Sequence, residues 1–146
     1  MIVLVHHADA VEPDLDPQRP LSSTGRAHAA RLAADLATRG VKPGAIWHSG
    51  KLRARQTAEA LLRACNPMAE FSAIRGLQPN DPPDWIRDRL AGETREVMLV
   101  GHMPSLPRIL HALLRESPEA SREFPLHGAV ALEVSGDEWR VAWIAE

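Results

Sequence analysis

The feature that most constrains the fold of this chain is a short apolar run near its start that ends in two adjacent histidines. Residues 2–5 read Ile-Val-Leu-Val and lead directly into His6 and His7. A run this short, apolar and rich in β-branched residues predicts a strand buried on both faces, as in a parallel sheet. Ligands of open α/β sheets bind just beyond the carboxyl ends of such strands, so His7 lies where a functional residue is expected.

Two further predicted strands end near polar residues in the same way. Residues 45–48 lead into Ser49, and residues 96–100, apolar after Glu96, lead into Gly101 and His102. Strands that alternate with helices indicate a three-layer α/β/α sandwich with a mostly parallel central sheet and a C-terminal hairpin. The other predicted elements are helices over 24–39, 51–64, 84–91 and 104–115, a short strand over 70–73, and a hairpin of residues 129–134 and 139–144.

The composition limits the class of protein. A length of 146 residues suits a single domain, 1–146, with a full core. A net charge of −2 and a pI near 6.4 leave no broad basic surface for nucleic acid or an anionic membrane. No apolar run reaches the length of a membrane span, so we expect a soluble, cytoplasmic protein. The single cysteine, Cys65, excludes an internal disulfide and a cysteine-based metal site.

His7, Arg53 and His102 together suit phosphoryl transfer. A neutral imidazole such as that of His7 is a competent nucleophile toward phosphorus. Arg53 lies in the first turn of the predicted second helix, where free backbone N–H groups and a guanidinium fork favour a phosphate dianion. His102 supplies a further N–H donor, and preorganised donors stabilise the charge of the transition state. Attack of His7 on phosphorus would give a phospho-His7 intermediate, which water then hydrolyses.

Other chemistries find no matching motif in the sequence. The histidines lack the HxH or HExxH spacing of zinc sites, and the phosphate-cradling sequences GxxxxGK[ST] and GxGxxG are absent. The serine-hydrolase motif GxSxG is absent as well. We therefore expect neither a metal nor an organic cofactor.

With these motifs in order, the chain resembles the histidine phosphatase superfamily, the phosphoglycerate-mutase-like group, and most closely its short SixA-type phosphohistidine phosphatases. The resemblance covers nearly the whole chain. Residues 6–8, His-His-Ala, stand at the family's Arg-His-Gly, and residues 19–22 with Gly25 resemble its Arg-Pro-Leu-Thr motif. Residues 49–57 match Ser-Pro-x-x-Arg-Ala-x-Gln-Thr, and residues 100–102 match the strand that ends in Gly-His.

The resemblance implies a role for each residue of the site. It places the nucleophile at His7, the phosphate-binding arginine at Arg53 and a second catalytic histidine at His102. Ser49 begins the second motif and joins the phosphate-binding set. His127 precedes the predicted hairpin, where the family often has polar residues near the phosphate, so it is a candidate accessory contact.

Two departures from the family motif leave two interpretations open. His6 replaces the arginine and Ala8 replaces the glycine, so one phosphate-gripping guanidinium is missing. In one interpretation His6 substitutes as a protonated donor whose pKa is raised by the neighbouring phosphate, and phosphate affinity falls as the pH rises above about 6.5. In the other, His6 only packs beside the strand, and activity is weakened or lost.

The sequence also offers candidates for the general acid and for the substrate. Asp9 and Asp81 are the candidate acids, although aspartate in loops more often serves turns and caps. A phosphoramidate has a basic leaving nitrogen that solvent can protonate, so phosphohistidine on a signalling or phosphotransfer protein is the expected substrate. The alternatives are a broad small-molecule phosphomonoesterase and a non-catalytic module that binds phosphate or a phosphoprotein.

Overall fold

The computed structural model describes residues 1–115 and 117–146. Strands and helices alternate along most of the chain, and every predicted helix and strand is present with its ends within one residue of the prediction. A short 3₁₀ helix, Pro118–Ser121, was not predicted. The elements are β1 (Ile2–His6), α1 (Ser23–Thr38), β2 (Ala45–His48), α2 (Leu52–Cys65), β3 (Glu70–Ala73), α3 (Pro83–Leu90), β4 (Val97–Gly101), α4 (Ser105–Leu114), β5 (Ala129–Ser135) and β6 (Glu138–Ala145).

The six strands form one mixed sheet in the order β3-β2-β4-β1-β5-β6. The first four strands are parallel to one another, and β5 and β6 form the antiparallel hairpin at one edge. β1 pairs with β4 so that Val5 lies opposite Val100 and His6 opposite Gly101. The carboxyl ends of β2, β4 and β1 therefore lie side by side at one end of the sheet.

Alternate residues of β1 face opposite sides of the sheet, and each side is covered by two helices. Ile2 and Leu4 belong to the core beneath α3 and α4, whereas Val3 and Val5 belong to the core beneath α1 and α2. Because both faces are covered, all five β1 residues are buried and the strand is apolar up to its last residue. The predicted three-layer α/β/α fold is confirmed. No described helix has the length and apolar character needed to cross a membrane.

The loop after β1 is held against the start of α1. A Cβ on Gly25 would clash with the carbonyl oxygen of Asp9, so only glycine allows this close approach. Ser22 caps α1 by accepting the Gly25 N–H at 3.0 Å, and its own N–H donates to the Asp9 carbonyl at 3.0 Å. These bonds fix the segment that carries His7 and Ala8.

Candidate active site

The structure brings the polar residues of three strand ends together. His7 directly follows β1, and its backbone N–H donates to the carbonyl of Gly101 at the end of β4, at 3.1 Å. The ring centroids of His7 and His102 are 4.9 Å apart. Ser49, which follows β2, lies 2.7 Å from the His102 ring through its Oγ. Adjacent parallel strands thus place residues far apart in sequence in one cluster.

The ring of His7 is held in one tautomer. Its Nδ1 lies 2.7 Å from the carbonyl oxygen of Ala8. A carbonyl can only accept, so Nδ1 carries the proton and the Nε2 of the neutral ring keeps its lone pair. Burial is the main cause that lowers the pKa of His7 to about 4, and the charges of Arg53 and Arg19 act in the same direction, while the Ala8 bond opposes them. The ring is therefore neutral, with a nucleophilic nitrogen, near pH 7.

His102 is buried beside His7 and is oriented by Ser49. Its Nε2 lies 2.7 Å from Ser49 Oγ, and burial is the main cause that lowers its pKa to about 3. Its Nδ1 is buried, and no partner for it is found among residues 1–115 and 117–146. A buried polar atom without a partner is costly unless something else satisfies it. An anion bound at the site is one such partner.

Arg53 lies in the first turn of α2, as predicted, and its side chain is partly buried. Its Nε is buried, and nothing within the described part of the chain accepts its hydrogen bond. Burial and the charge of Arg19 lower the pKa of Arg53. The charge of Arg53 in turn lowers the pKa values of His6, His7 and His102, which places it next to this cluster.

In the structure His6 is a neutral ring, whereas the first interpretation of the sequence made it a protonated donor beside bound phosphate. Its Nδ1 accepts the backbone N–H of His127 at 2.9 Å, and only a ring without a proton on Nδ1 can do so. The two rings stack, with centroids 4.9 Å apart and planes 7° from parallel. Burial, followed by the neighbouring His7, His127 and Arg53, lowers the pKa of His6 to about 3. His6 is therefore a neutral ring that can donate only through Nε2–H.

His127 reaches this cluster from the segment before β5. Its Nδ1 donates to the His7 carbonyl at 2.7 Å, and its own carbonyl accepts from His28 Nε2 at 3.0 Å. Its φ of +56° lies in the left-handed region, which a residue other than glycine adopts only when its surroundings hold it there. The predicted accessory residue thus touches the nucleophile's own backbone.

The two candidate acids both serve loops. Asp9 Oδ2 accepts the Ser22 hydroxyl at 2.6 Å, next to the N-cap of α1. Asp81 Oδ2 accepts the backbone N–H groups of Gly76 and Gln78, each at 3.0 Å. Both carboxylates therefore stabilise loops, which is a common role of aspartate in turns.

Three residues of the site were not assigned a role from the sequence. Thr57 accepts the Ala8 N–H at 3.0 Å and donates to the Arg53 carbonyl at 2.8 Å, which joins the loop after β1 to α2. The charge of Arg19 lowers the pKa values of His7 and Arg53. His28 supports the backbone of His127. Thr57 and Arg19 belong to matched motifs, but nothing in the local pattern around His28 indicates its contact.

An open groove of about 400 Å³ adjoins the site and is lined on one side by Pro17 and Gln18 and on the other by residues 50–53 and Arg55. Arg53 lines this groove, so the groove connects solvent to the arginine beside the histidines. A larger cavity of about 710 Å³ lies between the end of α4 and the β5–β6 hairpin. It contains none of the predicted site residues.

The cluster also has the chemistry of a metal site. One potential ligand nitrogen from each of His6, His7 and His127 lies within 4.8 Å of those of the other two. The spacing of these residues in the sequence gave no zinc motif, because His127 reaches the others through tertiary structure.

Comparisons with known proteins identify the family and the fold. The histidine phosphatase superfamily (branch 1) matches residues 3–85. The solved structure of SixA from Agrobacterium tumefaciens is 30% identical, with a TM-score of 0.82 over 99% of this chain and 96% of that chain. A protein histidine phosphatase SixA complexed with tungstate shares the fold at 20% identity, with a TM-score of 0.86 over 99% and 95% of the two chains. SixA from Nakamurella multipartitia shares it at 22% identity, with a TM-score of 0.77 over 99% and 94%.

No curated protein sequence matches the chain. The family match nevertheless covers more than half of it, and the likeness to the Agrobacterium structure covers almost all of it. The chain belongs to the histidine phosphatase superfamily.

Proposed function

We propose that the protein is a metal-independent phosphatase that works through a phospho-His7 intermediate and acts on phosphohistidine carried by a signalling or phosphotransfer protein. The observation that carries this proposal is the bond from His7 Nδ1 to the Ala8 carbonyl, at 2.7 Å. It leaves Nε2 as a lone-pair donor, and the lowered pKa of His7 keeps the ring neutral at physiological pH.

In the first step, the lone pair of His7 Nε2 forms a bond to phosphorus while the bond from phosphorus to the substrate nitrogen breaks. The leaving nitrogen takes a proton from solvent. In the second step, water attacks the phosphorus of phospho-His7, inorganic phosphate leaves and the His7 ring is restored. Both steps concentrate negative charge on the phosphoryl oxygens, and fixed cations and N–H donors stabilise that charge.

The donors around His7 suit this charge. Arg53 Nε and His102 Nδ1 are both buried and lack partners within the described residues, so a bound phosphoryl group would satisfy them. When Ser49 Oγ–H donates to His102 Nε2, the proton of the neutral His102 ring is on Nδ1. Nδ1–H is then the hydrogen-bond donor of this ring. His6 Nε2–H is a third donor, because its Nδ1 is occupied by the His127 N–H.

Two features favour phosphohistidine over alkyl phosphates. The bonds of Asp9 and Asp81 to loop atoms commit both candidate acids, and a phosphoramidate needs a dedicated acid less than an ester does. The groove beside Arg53 is open and bears Lys51 and Arg55, so it can admit a protein side chain. The Agrobacterium relative carries the name phosphohistidine phosphatase. Because position 6 lacks the family's guanidinium, we expect slower turnover than with arginine there.

The test compares two substrates in EDTA: a phosphohistidine-bearing protein and p-nitrophenyl phosphate. We expect phosphate release from the first to exceed that from the second, and His7→Ala to reduce it by about a thousandfold or more, as loss of a nucleophile does. His111→Gln is the matched control, because His111 is an exposed histidine on α4.

The other outcomes identify the alternatives. Faster release from p-nitrophenyl phosphate would indicate a small-molecule phosphomonoesterase. No release from either substrate, with tungstate still bound, would contradict an enzyme and indicate a phosphate-binding module. In that case a gain of activity in His6→Arg would trace the loss to position 6.

A further inference from the structure

We propose that His7 and His127, with His6 as a third ligand, bind one borderline transition-metal cation, for which Zn²⁺ is the probe, and that this cation inhibits the protein. One potential ligand nitrogen of each ring lies within 4.8 Å of those of the other two. Binding of the cation does not depend on the proposed function, whereas the inhibition rests on it.

The hydrogen bonds of His7 and His127 prepare both rings for a metal. Each ring donates its Nδ1–H to a backbone carbonyl at 2.7 Å, His7 to Ala8 and His127 to His7. Histidines that bind metals typically donate the other ring nitrogen to such an acceptor, which fixes the tautomer and aims the bare nitrogen at the ion. In both rings that bare nitrogen is Nε2, and the ring centroids are 6.1 Å apart, so the two rings can bind one ion without any change of protonation.

His6 takes the third position at the loss of one hydrogen bond. Its Nδ1 accepts the His127 N–H at 2.9 Å, so the proton of the neutral ring is on Nε2. Rotation of the ring breaks that bond and frees one nitrogen for the cation while the other keeps the proton. The stacking of His6 on His127, with planes 7° apart, already holds the two side chains next to each other. Water completes the coordination.

The ligand chemistry selects the class of cation. Imidazole nitrogen suits Zn²⁺, Cu²⁺ and Ni²⁺, whereas Mg²⁺ and Ca²⁺ require oxygen ligands. The cluster of His6, His7 and His127 offers three nitrogens and no carboxylate. Zn²⁺ therefore binds there, and Mg²⁺ does not.

Binding of the cation opposes the proposed reaction directly. The Nε2 lone pair of His7 can form a bond to the metal or to phosphorus, and not to both. Zn²⁺ and the phosphoryl group thus compete for one atom, which predicts inhibition by Zn²⁺ that Mg²⁺ does not reproduce.

The experiment is calorimetric titration of the full chain, without a polyhistidine tag, with ZnCl₂ and in parallel with MgCl₂. We expect one Zn²⁺ per chain, no saturable Mg²⁺ binding, and a Kd for Zn²⁺ about tenfold or more weaker in His127→Asn. Asparagine tolerates the positive φ at this position and lacks the imidazole that binds the cation. His111→Gln, on the surface of α4, controls for binding by exposed histidines and should leave the Kd unchanged.

A second measurement needs no variant. Long-range ¹H–¹⁵N correlation spectra of the histidine rings should show that Zn²⁺ shifts the Nε2 signals of His7 and His127 and leaves those of His111 in place. Absence of saturable Zn²⁺ binding, an unchanged Kd in His127→Asn, or shifts confined to other histidines would overturn the proposal. Zn²⁺ binding by a protein that releases no phosphate would support the site and contradict the proposed enzyme, so the two failures are distinguishable.

Discussion

Ala8 stands where the family motif has glycine, and the structure explains why the change is tolerated. Its φ is negative, so the position does not need the conformational freedom of glycine. Ala8 is 1% exposed and packs with Leu21 and Ala29 beside the start of α1. The backbone carbonyl that accepts the His7 Nδ1–H is present in either residue. The Gly-to-Ala departure therefore leaves the tautomer of the nucleophile unchanged.

The pKa of His7 leads to a pH prediction for the proposed reaction. The nucleophile must be neutral, and its pKa in the free protein is lowered to about 4. Protonation of His7 therefore sets in only well below pH 6.5, and kcat/KM should stay level from pH 8 to about 5.5 and decline below pH 5. The measurement is kcat/KM against pH in EDTA, with circular dichroism at each pH to verify folding. An acid limb centred at pH 6.5 would show that His7 titrates as an exposed histidine does.

Single residues also mark the limit of sequence reasoning at this site. His7, Arg53 and His102 could be placed together, because each lies at a strand end or in a first helical turn. The tautomer of His7 could not be predicted from the sequence, because it depends on the position of a backbone carbonyl. The neutrality of His6 depends on the His127 N–H, which is 121 residues away in sequence and carries no local signal.

At the level of elements, the site depends on the junction between the loop after β1 and the start of α2. The buried hydroxyl of Thr57 forms this junction, since it accepts from Ala8 N–H and donates to the Arg53 carbonyl. One side chain thus holds the peptide that fixes the His7 ring and the helical turn that carries the phosphate-binding arginine.

Replacement of this hydroxyl should loosen both elements at once. Thr57→Val preserves the shape of the side chain but leaves the Ala8 N–H without its acceptor, so we expect a loss of about 1–3 kcal/mol in the free energy of unfolding. We also expect kcat to fall about tenfold, equivalent to about 1.4 kcal/mol in the barrier, because the His7 ring loses its fixed orientation. Denaturant unfolding and steady-state kinetics measure the two effects.

Thr57→Ser is the matched control, because it retains the hydroxyl and removes only a methyl group. It should keep kcat close to that of the natural protein. Equal losses of kcat in Thr57→Val and Thr57→Ser would assign the effect to packing and contradict the role of the hydrogen bonds.

Element boundaries were predictable because local chemistry sets them. Ser22 caps α1, Gly40 follows its end, and Pro83 begins α3, so these ends carry residue signals. The 3₁₀ helix Pro118–Ser121 was missed because four residues are too few to show a helical period. The strand order is a property of long-range pairing, and alternation of strands and helices predicts parallel strands without fixing their sequence in the sheet.

Across the whole molecule, the site is a group of neutral histidines buried at the end of a sheet that is covered on both faces. His6 and His102 are 5% and 2% exposed, and burial is the main cause that lowers the pKa of each to about 3. The unfolded chain exposes the same rings to water, where their pKa is about 6.5. Folding is therefore linked to the release of protons whenever the pH is below that value.

This linkage predicts a loss of global stability in mild acid. Because the folded pKa values lie below the unfolded ones, the stabilising contribution is complete above pH 6.5 and is lost as the pH falls toward 3. Between pH 6 and 5, His6 and His102 should each lower the free energy of unfolding by about 1.4 kcal/mol per pH unit, and His7, whose pKa is lowered to about 4, should add a similar contribution. Denaturant titrations at several pH values, in EDTA, measure this slope above the range in which most carboxylates titrate.

A matched pair of variants assigns the slope to the site. His6→Gln removes one buried ring while glutamine can still accept the His127 N–H, so the slope between pH 6 and 5 should decrease by about 1.4 kcal/mol per pH unit. His111→Gln, on the exposed surface of α4, is the control variant. A stability that does not change between pH 6 and 5 in the natural protein would mean that His6 and His102 are not held neutral by burial. The same result would remove the basis for a neutral His6 in the proposed phosphate site.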